Sequence, residues 1–227
     1  NFYSLGIDSI SSLQVCSLLR SKGMDVSVSE FFKFQSISSL ANYIEESNKL
    51  GEIRTITHQA WTVNALSPIQ KWFFDTQPEH PSHWNQSVLI KLSDAQGGEA
   101  VVESLKNLLD QFKIFSSIFT FENETWQQRI VKDETYHISI ETDVSEMELD
   151  DVLASNQKRL DISKNLYHFS VIQVADKTYV QLVIHHLIID GVSWRVLLSQ
   201  LSNNLEGISE MLTERKSFNE WVQYLDD

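Results

Sequence analysis

The chain has 227 residues, enough for two domains of ordinary size, and its 42% hydrophobic content with only seven glycines and three prolines excludes a disordered or fibrous chain. A formal net charge of −13 argues against nucleic acid as a partner. Cys16 is the lone cysteine, which excludes an internal disulfide and a cysteine metal cluster, and the short, broken apolar runs give neither a membrane span nor a leader, so a soluble protein of the reducing cytoplasm is expected.

Residues 1–46 read as helices. Ile10, Leu13, Val15, Leu18 and Leu19 recur at helical spacing, as do Leu40, Tyr43 and Ile44, and "MDVSVSEFFKFQS" between them reads as a short helix inside a loop. Cys16 falls in the first stripe and is expected in the core. Over residues 47–62 the periodicity fades and polar residues gather, as in an interdomain linker.

Residues 63–227 mix strand and helix. "SPIQKWFFDT" predicts a helix with Ser67 as N-cap, Pro68 in its first position and Gln70 closing a capping box. "NQSVLIKL" alternates like a strand, "EAVVESLKNLLDQF" is an amphipathic helix, and "IFSSIFTF" and "TWQQRIVK" read as successive strands. "SEMELDDVLASNQKRL" predicts a helix opened by a Ser145–Glu148 capping box. "YHFSVIQVA" and "TYVQLVIHH" predict a hairpin turning at Asp176 and Lys177. The fold class is α+β: a small helical domain followed by a mixed sheet with packed helices.

The predicted strand ending in His185 and His186 delivers both rings to the rim of a sheet. Successive strand residues point to opposite faces, so one histidine can face a cleft while the other serves the fold. Asp190–Gly191 reads as a tight turn in which glycine is free to take positive φ, and Ser193 can cap the helix "WRVLLSQLSNNL". The plainer alternative is that both histidines are satisfied by backbone partners and the aspartate caps a turn. No third histidine or cysteine stands at ligand spacing, so no metal is expected.

"HHLIIDG" fits the HHxxxDG signature of the condensation-type domains of nonribosomal peptide synthetases, which resemble chloramphenicol acetyltransferase in fold. Its extension "VSW" resembles the epimerization branch of that superfamily, as do "SPIQKWFF" and "HWNQSVLI" upstream. "NFYSLGIDSISSLQV" in turn resembles the attachment loop and second helix of a peptidyl carrier protein, with the aspartate before the serine that precedes epimerization domains. The resemblance implies a carrier domain at 1–46, without its first helix, a linker at 47–62, and the first lobe of an epimerization domain at 63–227.

The resemblance implies roles for single residues. Ser9, preceded by Asp8, would carry covalent 4′-phosphopantetheine, placed by a phosphopantetheinyl transferase, and a helix N-terminus favours such a phosphate. The arm would present an aminoacyl or peptidyl thioester to His186, the general acid/base that inverts the α-carbon from L to D. His185 and Asp190 would support the loop, Asp190 through an ion pair, and Gly191 would leave room for the arm. Ser193 and Trp194 are candidates for the tunnel wall. Neighbouring adenylation and second-lobe segments would be the partners, and without the second lobe the chain as given is expected to be inactive.

Two departures stand out. Ile7 replaces the second glycine of the carrier's "LGG", and "QFKIFS" aligns with an HHDALR-like segment, leaving Ser116 where relatives carry arginine. A condensation domain forming a peptide bond shares HHxxxDG and is the nearest alternative. A non-catalytic platform that docks the loaded carrier is the alternative from another class.

Overall fold

The computed structural model describes residues 2, 11–12, 15–16, 18–19, 22, 24, 26, 28–34 and 36–48, and then residues 66–93, 97–131, 135–208 and 222. The chain divides into two compact units, Asn1–Thr57 and His58–Asp227.

In the first unit residues 11–12, 15–16 and 18–19 are helical. Helix α1 spans Val28–Lys33, the short helix expected there, and α2 spans Ile37–Asn48. Ser36 starts α2: its Oγ accepts from Ser39 N–H at 3.3 Å and its carbonyl from Leu40 N–H at 3.0 Å, satisfying donors that a helix start leaves open. Phe2, Cys16, Val26, Phe31 and Leu40 bury into one small core, with Phe2 stacked on Phe31 at 4.2 Å. Helix α2 runs two residues into the expected linker, and residues 49–65 lie outside the described residues.

The second unit opens with α3, Pro68–Asp75, whose N-terminus forms as its sequence predicts. Gln70 N–H reaches Ser67 Oγ at 3.4 Å, and Ser67 N–H donates back to Gln70 Oε1 at 2.9 Å. Strand β1 covers Asn85–Lys91 and α4 covers Gly98–Gln111, burying Val101, Leu105, Leu108 and Leu109 on one stripe.

Lys113–Ser116 is a 3₁₀ turn rather than the start of a strand, because Phe115 turns inward onto Tyr167 and Phe169 at 5.3 and 5.9 Å between ring centres. Strands β2, Ser117–Glu122, and β3, Thr125–Ile130, follow as an antiparallel pair. Asn123 and Glu124 both take positive φ, 49° and 63°, as the two-residue turn between twisted strands requires.

Strand β4 is Ile138–Glu141 and α5 is Leu149–Asn156, shorter at both ends than the sequence predicts. Ser145 does bond to Glu148, but its hydroxyl donates to the carboxylate at 2.6 Å instead of capping a backbone N–H, so the pair closes a turn ahead of the helix. Strands β5, Tyr167–Val174, and β6, Lys177–His185, form the expected hairpin. The turn residues are Ala175 and Asp176, one position before those expected, and Ala175 takes φ 52°. Helix α6, Gly191–Leu205, ends at Gly207 with φ 72°, where Gly207 N–H bonds Asn204 O and Ile208 N–H bonds Asn203 O.

The main sheet has the order β1-β6-β5-β4, antiparallel except for the parallel β5–β4 pair. One face carries Val88, Ile90, Val180, Leu182, Ile184, Phe169 and Val171 into the core shared with α4 and α6. The opposite face is also covered, which is why β5 and β6 are buried at nearly every position instead of alternating. Its middle is polar. Asn156 of α5 donates to Ser170 Oγ and to Gln181 Oε1, both at 2.9 Å, and Gln181 donates to Leu153 O at 3.1 Å. Strand β6 is therefore paired on both edges, by β1 and β5, and bonded to α5 at its middle.

Candidate active site

Strand β6 ends where its last backbone bonds are spent. His185 N–H donates to Leu166 O and His186 N–H to Trp84 O, each at 2.8 Å, so the two histidines are held between β5 on one side and the entry to β1 on the other. His185 is the last residue of the strand and His186 the first of the turn that follows, and Trp84 meets both rings, at 6.4 and 4.9 Å between ring centres.

His185 is fully buried. Its Nε2 lies 2.7 Å from Pro81 O, an acceptor only, so Nε2 carries the proton, and Nδ1 accepts from Leu187 N–H at 3.2 Å. Phe73 meets the ring edge to face at 5.8 Å. Burial lowers its pKa to about 4, against the pull of the Pro81 bond and with help from nearby His186 and His83. A neutral ring with both nitrogens committed is a fold residue.

His186 is half-buried, with Trp84 beside it at 4.9 Å between ring centres. Its Nδ1 lies 2.7 Å from Ile189 O, so Nδ1 carries the proton and Nε2 is left with its lone pair, the tautomer opposite to that of His185. Nε2 lies 3.0 Å from the amide nitrogen of Gln86, whose oxygen accepts the indole N–H of Trp194 at 2.5 Å. A half-buried imidazole with one nitrogen anchored and the other presenting a lone pair is suited to taking up and returning a proton.

The loop after the histidines differs from its sequence reading in three respects. Asp190, not Ser193, caps α6: one carboxylate oxygen accepts from Val192 N–H at 3.1 Å and from Ser193 N–H and Oγ at 2.7 Å each, so Ser193 is a donor to the cap. Asp190 makes no ion pair among the described residues, because the helix start already supplies its donors. Gly191 is the first helical residue and does not take positive φ, and a Cβ there would meet open space. Trp194 is buried and is tied to Gln86 as well as packed.

Sequence reasoning missed two tethers. Gln70 closes its capping box through Oε1 and, through Nε2, donates to Leu187 O at 3.0 Å, fastening α3 to the histidine loop. Gln86 joins His186 to Trp194. The signal for both was present in "SPIQKWFF", "HWNQSVLI" and "VSW", whose residues support the histidine loop through bonds that span 100 or more positions.

Other expected residues lie elsewhere. Ser116 is half-buried and lines a cavity of about 460 Å³ with Asp110, Tyr136, His137, Lys164 and Tyr167, and His186 is not among its walls. Asp8 and Ser9 lie outside the described residues. Among the described residues no cluster of three or more His, Cys, Asp or Glu could hold a metal ion, and no helix is long and apolar enough to cross a membrane.

Comparison with known proteins gives matches along both parts of the chain. A family model described as "Condensation domain" matches residues 61–226, and one described as "Phosphopantetheine attachment site" matches residues 1–44. Nonribosomal peptide synthetase ungA' of Aspergillus campestris is 35% identical over 213 residues, covering 90% of this chain and 2% of that protein. Nonribosomal peptide synthetase 5 of Gibberella zeae is 33% identical over 241 residues, covering 98% of this chain and 2% of that protein. The epimerization domain from the third module of tyrocidine synthetase B superposes with a TM-score of 0.65 at 24% identity over 75% of this chain and 42% of that one. The starter condensation domain of rhizomide synthetase does so with a TM-score of 0.62 at 14% identity over 73% of this chain and 43% of that one. These likenesses establish the fold of the second unit, and the chain spans only a few per cent of the synthetases it matches.

Proposed function

Because this chain belongs to the condensation-domain family, and carries a phosphopantetheine attachment segment ahead of that domain, we propose that it is the carrier and first lobe of an epimerizing unit in a nonribosomal peptide synthetase. Its cofactor is covalent 4′-phosphopantetheine. In this reading Ser9, with Asp8 before it, is the attachment residue, and an aminoacyl or peptidyl thioester is the substrate. His186 takes the α-proton on Nε2 and returns it, changing the configuration from L to D. His185, Asp190 and Gly191 build the loop that holds it.

The observation that carries the reading is the fixed tautomer of His186. Nδ1 is held by Ile189 O, so proton transfer has a single address, Nε2, on a ring that is half-exposed while its neighbour is fully buried. Epimerization is favoured over peptide-bond formation because residues of "PIQ" and "VSW" that mark the resemblance support this site: Gln70 holds Leu187 of the loop, and Trp194 holds Gln86, which bonds His186. The open space at Gly191, on the exposed first turn of α6, leaves room for a slender chain beside the loop.

The test is solvent deuterium incorporation at the α-carbon of the loaded thioester, measured with the parent synthetase and with its His186→Ala variant. Wild type should exchange and release the D-isomer, and the variant should lose about 10²- to 10⁴-fold in exchange rate, the usual contribution of a positioned general acid/base. Equal rates would remove His186 from the mechanism. Peptide-bond formation without α-proton exchange would assign the domain to condensation instead.

A further inference from the structure

Gln86 stands across the path of the proton. Its amide nitrogen is 3.0 Å from Nε2 of His186, and its amide oxygen holds the indole N–H of Trp194 at 2.5 Å. The two ends of this chain fix its direction. An indole N–H can only donate and the carbonyl of Ile189 can only accept, so donation runs from Trp194 to Gln86, from Gln86 to His186 and from His186 to Ile189. Every link is satisfied while Nε2 is bare.

A proton on Nε2 breaks that agreement. The lone pair of Nε2 forms the new N–H bond, the electron pair of the cleaved bond stays with the acid that gave the proton, and the ring N–H then faces the N–H of Gln86. Turning the amide over repairs this contact and spoils the other, since the amide N–H is then aimed at the indole N–H. No orientation of Gln86 serves both neighbours once the ring is charged.

We infer that Gln86 is a positioning residue that works as a two-position amide switch: held by Trp194 it caps Nε2 of His186, and released from Trp194 it turns over to accept from the protonated ring. Trp194 thereby sets how readily His186 takes a proton. The value of the switch to catalysis rests on the reading of His186 as the proton carrier, but its existence does not. Among the described residues no carboxylate bonds to His186, and the titratable groups of the surrounding elements are otherwise engaged or turned outward. His185 is neutral and bonded at both nitrogens, Asp190 is occupied by the start of α6, and His83 and Arg195 are exposed.

Ring-¹⁵N NMR of the 227-residue chain, at one fixed pH near the midpoint of the wild-type ring, reads the share of His186 carrying both protons. Trp194→Phe frees the amide to turn and should raise the ratio of doubly to singly protonated ring about 3- to 10-fold, the effect of one neutral hydrogen bond. Gln86→Leu removes the opposing donor and should raise it by a similar factor, and adding Trp194→Phe to that background should change nothing further. Gln86→Glu, which keeps the size of the side chain and accepts from both neighbours, should raise it most.

An unchanged ratio in Trp194→Phe, an equal effect of that substitution with and without Gln86, or a fall in Gln86→Glu would each overturn the switch. The exchange assay on His186→Ala separates this outcome from failure of the functional reading. Retained exchange there removes the reaction and leaves the ring result standing, whereas an insensitive ring removes the switch and leaves the reaction.

Discussion

Lowering the pH from 7 to 5 should destabilise the second unit by about 4 kcal/mol, through two buried rings. His185 and His168 are 0% and 6% exposed, and burial brings each from the usual 6.5 to about 4; Arg159 and His137 add to the effect on His168. The unfolded chain therefore binds a proton on each ring between these values while the folded chain does not. This stability is complete above the unfolded value, near 6.5, and is lost as the pH falls toward the folded value, near 4. Going from pH 7 to pH 5 crosses most of that window, and linkage gives roughly 2 kcal/mol for each ring. Glu146, Glu148 and Asp161 are held below the ordinary carboxylate range, first by bonds from Lys177, Ser145 and Ser163 respectively, so their contribution is lost at still lower pH. All six tryptophans follow residue 60, so urea unfolding monitored by tryptophan fluorescence reports this unit alone. His185→Asn and His168→Asn should each remove about half of the pH dependence, whatever they cost at pH 7. A stability that is level between pH 7 and pH 5, or a slope that survives the double substitution, would refute the account.

Two further outcomes are expected. Gln70→Leu leaves Ser67 N–H and Leu187 O buried without their partner and should cost roughly 2–4 kcal/mol in urea unfolding, where Glu at the same position should recover only the cap and not the tether. Incubation with coenzyme A and a phosphopantetheinyl transferase should add one phosphopantetheine by mass spectrometry, Ser9→Ala should abolish it, and modification that survives in Ser9→Ala would place the attachment elsewhere.

The elements written in short-range chemistry were legible in the sequence. Ser67, Pro68 and Gln70 lie within one helical turn, and the β5–β6 pair announces itself by two apolar runs around a polar turn. Helix α5 was overextended because "SEMELDD" has capping residues but no apolar stripe, and Met147 is almost wholly exposed. Asp190 and Ser193 are both cap-forming residues at helix-start spacing, and only the folded structure shows the carboxylate taking two backbone N–H groups while the hydroxyl donates to it. The strand period predicts one ring for each face, and the structure buries His185 fully and His186 by half. The tether on His186 was not legible as chemistry, because Gln86 and Trp194 are 108 positions apart and a glutamine in an alternating strand looks like any surface polar residue.

The different surroundings of His185 and His186 also limit how this lobe can be recombined. Both rings owe their places to an unbroken count of residues along β6, where Ile184 faces Gln86 and His185 faces Asn85. One inserted residue anywhere within β6 would move each later residue one place on, setting His185 at the place of the outer ring and Ile184 where Pro81 and Phe73 enclose the inner one. Chimeras between related synthetases can therefore vary the residues of β6 ahead of the two histidines in identity but not in number. Crossover points belong in turns such as Asn123–Glu124, where an added residue moves no strand of the main sheet.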